Sequence, residues 1–98
     1  MTYNLQFHKK ALKEFKALDH VVRKRLTDKL AERLEDPHVP SARLSGNPNR
    51  YKIKLKSPGI RLVYEVVDQE VVVYVLAVDK RERGAAYDKA AGRVVTRP

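Results

Sequence analysis

Residues Val71 to Val78 form an uninterrupted apolar run, V-V-V-Y-V-L-A-V. Its eight residues fall far short of the roughly 20 that a helix needs to cross a bilayer. In a strand, successive side chains point to opposite faces. A run that is apolar on both faces therefore needs cover on both sides, which makes it a central strand. The rest of the chain must supply its neighbours and its cover.

Two neighbours follow from the pattern. Arg50–Lys56 and Ile60–Val67 alternate, and they are separated from each other and from the valine run by Ser57-Pro58-Gly59 and Asp68-Gln69-Glu70. Both turns are too short for crossover helices, so the three strands are expected to form an antiparallel meander. Tyr3, Leu5 and Phe7 alternate with polar residues and predict a half-buried N-terminal strand. Helical spacing comes next: Ala11, Leu12, Phe15 and Leu18 in one stripe, then Val22, Leu26, Leu30 and Leu34 in another. Asp19-His20 marks the junction of two helices, and Pro37 ends the second. Residues 36–49 hold three prolines, two asparagines and Gly46, a loop composition, with Leu44 able to pin the segment to the core. Asp79 and Glu82 fit a capping box before a last helix carrying Ala86, Tyr87, Ala90 and Val94. Gly84 and Gly92 weaken that helix and its stripe is mostly alanine, so it is a candidate for displacement. The expected fold is α+β: an N-terminal strand and a two-helix hairpin packed on a mainly antiparallel four-stranded sheet, with a C-terminal helix. Ninety-eight residues fit a single domain, 1–98.

Twenty-one Lys and Arg against 12 Asp and Glu give a formal charge of +9, which favours nucleic acid or an acidic protein as partner. The chain has no cysteine, so thiolate and disulfide chemistry are excluded. His8, His20 and His38 have no ligand spacing and read as surface residues. No paired carboxylates fall in the basic region, so no metal and no cofactor is expected. Neither a G-x-S-x-G motif nor a phosphate-binding glycine loop is present. With no signal-peptide core and no spanning segment, the expectation is a cytoplasmic protein without membrane association.

The basic residues are not scattered. In Tyr51-Lys52-Ile53-Lys54-Leu55-Lys56, the three lysines share one strand face and Tyr51, Ile53 and Leu55 the other. Cations lined up on one face repel one another, a cost relieved if a polyphosphate sits there. The next hairpin can set Arg61 beside the lysines, Arg81 closes the last strand, and Tyr87 reaches them if the final helix folds back. Arginine can clamp phosphate oxygens in pairs and lysine can supply a point charge. Fixed cations stabilise the charge that develops on a phosphorane. A lysine can act as general base where neighbouring cations disfavour its charged form, and a tyrosine can stack on a base. From the residues alone, catalysis, nucleic-acid binding without chemistry, and a solvated basic face all stay open.

The stretches F-x-x-x-A-L-K-E-F, L-S-G-N-P-N-R-Y-K-I-K-L-K-S-P-G-I-R-L-V-Y-E-V and V-x-V-L-A-V-D-K-R-E-R-x-x-x-Y resemble the RelE family of bacterial mRNA interferase toxins. The resemblance covers about residues 1–95. It implies a ribosome-dependent endoribonuclease that cleaves mRNA in the A site of the 70S ribosome, leaving a 2′,3′-cyclic phosphate and a 5′-hydroxyl. It also implies inhibition by a RelB-like antitoxin, with operator DNA bound through the toxin–antitoxin complex. Carried over residue by residue, Lys54 is the implied general base, and Lys52 and Arg61 stabilise phosphate charge. Arg81 assists the leaving oxygen, Tyr87 orients or stacks on the nucleotide, and Arg83 contacts RNA. Lys9, Lys10, Lys13, Arg23 and Lys56 belong to a basic surface suited to ribosomal RNA. Ser45 departs from the family, which usually has a basic residue there. Tyr51 and Tyr64 read as sheet-packing aromatics. The alternatives are a noncatalytic nucleic-acid-binding autoregulator and a related toxin acting on gyrase or free RNA.

Overall fold

The computed structural model describes residues 2–46, 48–80 and 85–94. Strand β1 (Asn4–Phe7) leads into α1 (Lys9–Lys16) and α2 (His20–Glu35); β2 (Arg50–Leu55), β3 (Ile60–Val67), β4 (Val72–Lys80) and α3 (Ala85–Ala91) follow. The sheet order is β1-β4-β3-β2. Strands β2, β3 and β4 form the antiparallel meander, while β1 lies parallel to β4. Parallel pairing needs a long connection, which the intervening helices and strands supply.

The helical hairpin covers one face of this sheet. Val22, Leu26 and Leu30 of α2 and Ala11 of α1 are buried against Tyr51, Ile53, Leu55, Leu62, Tyr64, Val73 and Val75. Full burial of each such aliphatic side chain contributes about 2 kcal/mol. On the opposite face, Ala86 and Ala90 of α3 pack on Val63, Tyr74, Leu76 and Ala77, with Leu44 and Val67 partly buried beside them. The valine-rich run is covered on both sides, as its composition demands. A bulge refines its alternation: Val63 pairs with Ala77 but Tyr64 with Val75, so Leu76 is extra. Leu76 and Ala77 consequently both face α3.

Several boundaries differ from the sequence expectation. β4 starts at Val72, because Val71 adopts the left-handed conformation (φ 56°, ψ 49°) that closes a 3-10 turn over Asp68–Glu70. β4 then continues to Lys80, drawn on by pairing of Asp79 and Lys80 with Arg61 and Ile60. Asp79 is therefore a strand residue and not the cap of the last helix; its carboxylate pairs with Lys89 at 2.6 Å. Glu82, the other half of the expected capping box, lies outside the described residues. Val94 lies beyond α3 and is 68% exposed, so it is not part of the buried stripe. β2 ends at Leu55, which leaves Lys56 in the turn rather than on the strand. Within residues 36–49, a 3-10 turn at Pro40–Ala42 and a bridge from Arg43 to Tyr51 add order that composition did not reveal.

Two histidines have structural work that the surface reading missed. His8 caps α1 by accepting the Lys10 N–H at 3.1 Å. His38 joins the Tyr51 hydroxyl (2.9 Å) to Asp68 (2.8 Å), fastening the long loop to the turn before β4. His20 is exposed as expected.

Candidate active site

The alternation of β2 builds the site. With Tyr51, Ile53 and Leu55 committed to the helical core, Arg50, Lys52 and Lys54 project toward the α3 side of the sheet. Register sets Lys54 directly opposite Arg61, and Lys52 opposite Val63. From α3, Tyr87 lays its ring against Arg61, with the guanidinium carbon 5.0 Å from the ring centroid. That is cation–π distance. Lys52 and Tyr87 also line a shared cleft of about 630 Å³, together with Arg43, Ser45 and Arg50. Its size suits a ligand of nucleotide dimensions.

The structure thus brings Lys52, Lys54, Arg61 and Tyr87 together. Arg81 and Arg83 lie outside the described residues. Lys56 is exposed in the β2–β3 turn. Lys9, Lys10 and Lys13 are exposed on α1, and Arg23 lies on α2. α1 and α2 belong to the layer over the other sheet face, so these cations are not gathered around the cleft. Among the described residues no group of three or more metal-type ligands occurs.

Charge along the cleft is unevenly committed. Arg50 donates from Nε to Glu65 (2.9 Å), from Nη1 to the Ala90 carbonyl (2.7 Å) and from Nη2 to the Arg93 carbonyl (2.9 Å). It is a structural clamp on the end of α3. Arg61 is different: its Nε is buried with no hydrogen-bond partner among the described residues. The backbone of Lys52 is held from behind, where its carbonyl accepts from Arg33 Nη1 at 3.1 Å. Arg33 also donates to the Tyr64 hydroxyl (2.9 Å), which in turn donates to the Pro37 carbonyl (2.8 Å). Such a surface can hold phosphate oxygens between fixed cations and offer one aromatic face to a base.

Sequence reasoning missed Arg43 and Arg50 on the cleft wall. Arg50 carried a usable signal, since it shares the period-two face of Lys52 and Lys54. Arg43 sits in a segment without periodicity and carried none. Also missed was the set of ion pairs behind α3. Glu14 of α1 binds both terminal nitrogens of Arg93 (2.8 and 3.0 Å), Lys89 Nζ (3.0 Å) and the Val78 N–H (3.1 Å). Burial alone would push the Glu14 carboxyl up, but Arg93, the Val78 N–H and Lys89 outweigh it and hold the pKa at about 2. The same contacts raise the pKa values of Lys89, chiefly through Asp79 and then Glu14, and of Arg93, chiefly through Glu14.

The fold is that of a small toxin class. A family described as "ParE toxin of type II toxin-antitoxin system, parDE" matches residues 5–84. The mRNA interferase toxin RelE of Escherichia coli strain K12 is 48% identical over 95 residues, spanning 97% of this chain and 100% of that protein. Among solved structures, a doubly substituted E. coli RelE in the free state superposes with a TM-score of 0.89 at 46% identity, covering 97% of this chain and 100% of the other. RelE in the intact E. coli RelBE toxin–antitoxin complex gives a TM-score of 0.79 at 51% identity, over 83% of this chain and 99% of that one. The chain belongs to the RelE family within the RelE/ParE toxin superfamily.

Proposed function

We infer that this chain is the toxin of a type II toxin–antitoxin pair, an endoribonuclease that cuts translated mRNA in the ribosomal A site and so stops translation. The observation that carries the reading is the convergence of Lys54, Arg61, Lys52 and Tyr87 on one sheet face, beside a cleft that Lys52 and Tyr87 line. In the reaction, a ribose 2′-oxygen attacks the adjacent phosphorus. The new O2′–P bond forms as the P–O5′ bond breaks, giving a 2′,3′-cyclic phosphate and a 5′-hydroxyl. Lys54 takes the 2′-hydroxyl proton. Lys52 and Arg61 stabilise the extra charge on the non-bridging oxygens. Tyr87 orients the nucleotide by stacking. Arg81 supports the departing O5′ electrostatically, since a guanidinium does not give up its proton readily; the O5′ takes its proton from water to become the 5′-hydroxyl, and Arg83 contacts RNA. This chemistry needs no metal and no protein nucleophile.

Docking is assigned to Lys9, Lys10, Lys13, Arg23 and Lys56, whose contacts with ribosomal RNA would set position without reading sequence. The partner is a RelB-like antitoxin. The E. coli RelBE complex supports that pairing, and operator DNA would be met through such a complex. The proposed site of action is the cytoplasm, and no described helix is long and apolar enough to cross a membrane. Primer extension on translated mRNA, with and without ribosomes, tests the reading. Ribosome-dependent stops with cyclic-phosphate upstream ends are expected, and a 5′-phosphate on the downstream fragment would overturn the mechanism.

A further inference from the structure

Tyr87 stands on a helix that has little of its own to hold it. α3 has seven residues, too few to persist alone in water. Among its described side chains the fully buried ones are those of Ala86 and Ala90, which bury little apolar area. What fixes it is polar and gathers at its C-terminal end, where Arg50 on the cleft wall already holds the Ala90 and Arg93 carbonyls. Arg93, just past the helix, makes a two-pronged bond to Glu14 and a 2.9 Å bond to the Leu76 carbonyl. Lys89 bridges Glu14 and Asp79. Glu14 thereby ties α1, β4 and α3 at one point, and its bond to the Val78 N–H anchors it to the central strand. The side chains of Arg93 and Glu14 are 12% and 19% exposed, so the pair is shielded from solvent and its geometry is restricted. Neither Glu14, Lys89 nor Arg93 lines the cleft.

The geometry points to Arg93 and Glu14 as positioning residues for the ribonuclease reaction: they hold α3 in the one placement that keeps Tyr87 on Arg61. This inference rests on the activity proposed above. It assigns work to groups that touch neither RNA nor the reacting atoms, and it makes their effect conditional on Tyr87. A rigid short helix released at its C-terminal end swings its ring-bearing residue away, and displacements of that kind cost rate rather than affinity.

The test compares Arg93→Gln in two backgrounds, wild type and Tyr87→Ala. Single-turnover cleavage is read on ribosomes saturated with toxin, and amide exchange is read across residues 85–91. In the wild-type background Arg93→Gln is expected to slow cleavage about tenfold while ribosome affinity stays within about twofold. In the Tyr87→Ala background it should add no further loss, and Arg93→Lys should restore part of the rate. Exchange across 85–91 should accelerate while the β3–β4 core keeps its protection. Should Arg93→Gln fail to fold, Lys89→Gln, on a side chain 38% exposed, gives the same pattern with a smaller effect. Equal slowing in both backgrounds, or unchanged exchange across 85–91, overturns the positioning role. A wild-type protein that never cleaves sinks the ribonuclease reading instead, and the exchange arm still decides whether the latch holds α3.

Discussion

Arg61 shows what a cation proposed to meet phosphate costs the fold that carries it. Lys54 stands directly across from it, and like charges opposite each other in a sheet are unfavourable. Its Nε is buried without a hydrogen-bond partner among the described residues, a further cost of about 1 kcal/mol or more. The stack on Tyr87 offsets part of this. An evolved fold keeps such a group when the anion it awaits matters more than the stability lost. Arg61→Met keeps much of the side-chain volume and removes both the repulsion and the orphaned Nε. Its stability is expected to equal or exceed that of wild type, by up to about 1 kcal/mol, so that its thermal midpoint is unchanged or raised. Cleavage should fall about a hundredfold or more through loss of phosphate stabilisation. Calorimetry and single-turnover kinetics on the same preparation check the two halves. A clear drop in midpoint, or unimpaired cleavage, would make Arg61 a structural residue.

At the scale of elements, the latch between α1, β4 and α3 gives a pH dependence. The Glu14 carboxyl has a folded pKa of about 2 against an ordinary 4.5. A depressed carboxylate adds stability that is fully present above its unfolded pKa and is lost as pH falls toward the folded one. The window therefore runs from about 4.5 down to about 2, and linkage puts the contribution on the order of 3 kcal/mol. The groups facing Glu14 from the other elements are Arg93, Lys89 and the Val78 N–H, with Asp79 reached through Lys89. Glu14→Gln should be destabilised at pH 7, with the gap closing as pH drops through that window. Parallel denaturation curves for the two proteins that do not converge on acidification would deny Glu14 this role. The same latch marks the limit of what the sequence disclosed. Lys52, Ile53 and Lys54 were legible because period two needs only neighbours, and the valine run was legible because its composition forces burial. Asp79 misled because its local capping pattern competes with ladder pairing to Arg61, and the ladder wins. The bulge at Val63/Tyr64 left no residue signature such as a glycine. Glu14 and Arg93, 79 residues apart, share no local pattern, so their bond is visible only in three dimensions. Of the site, the strand-borne cations and Tyr87 could be named in advance, but not the groups that hold Tyr87 in place.

The whole molecule carries cations on both sides of its sheet, and with a charge of +9 it favours an acidic partner as well as RNA. An antitoxin could act by masking the cleft or by taking the place of α3. The packing favours the second route. The groove under α3 is lined by Val63, Tyr74, Leu76 and Ala77, yet among the described residues of α3 the side chains fully buried there are two alanine methyls, with Tyr87 partly buried beside them. A partner helix presenting leucine-sized side chains there gains about 0.8 kcal/mol for each additional methylene buried. Removal of α3 carries Tyr87 away from Arg61 and leaves the lysines exposed but without their orienting ring. Displacement and masking differ in their thermodynamics. If α3 must leave before the antitoxin is seated, anything that weakens α3 docking strengthens antitoxin binding by the same free energy. Ala90→Gly weakens the helix by about 1 kcal/mol without altering a charge. The antitoxin is then expected to bind this variant about fivefold more tightly than wild type, measured by titration calorimetry at equal salt. A partner that covers the cleft with α3 still docked would bind both proteins equally or prefer wild type, and that result would rule out displacement.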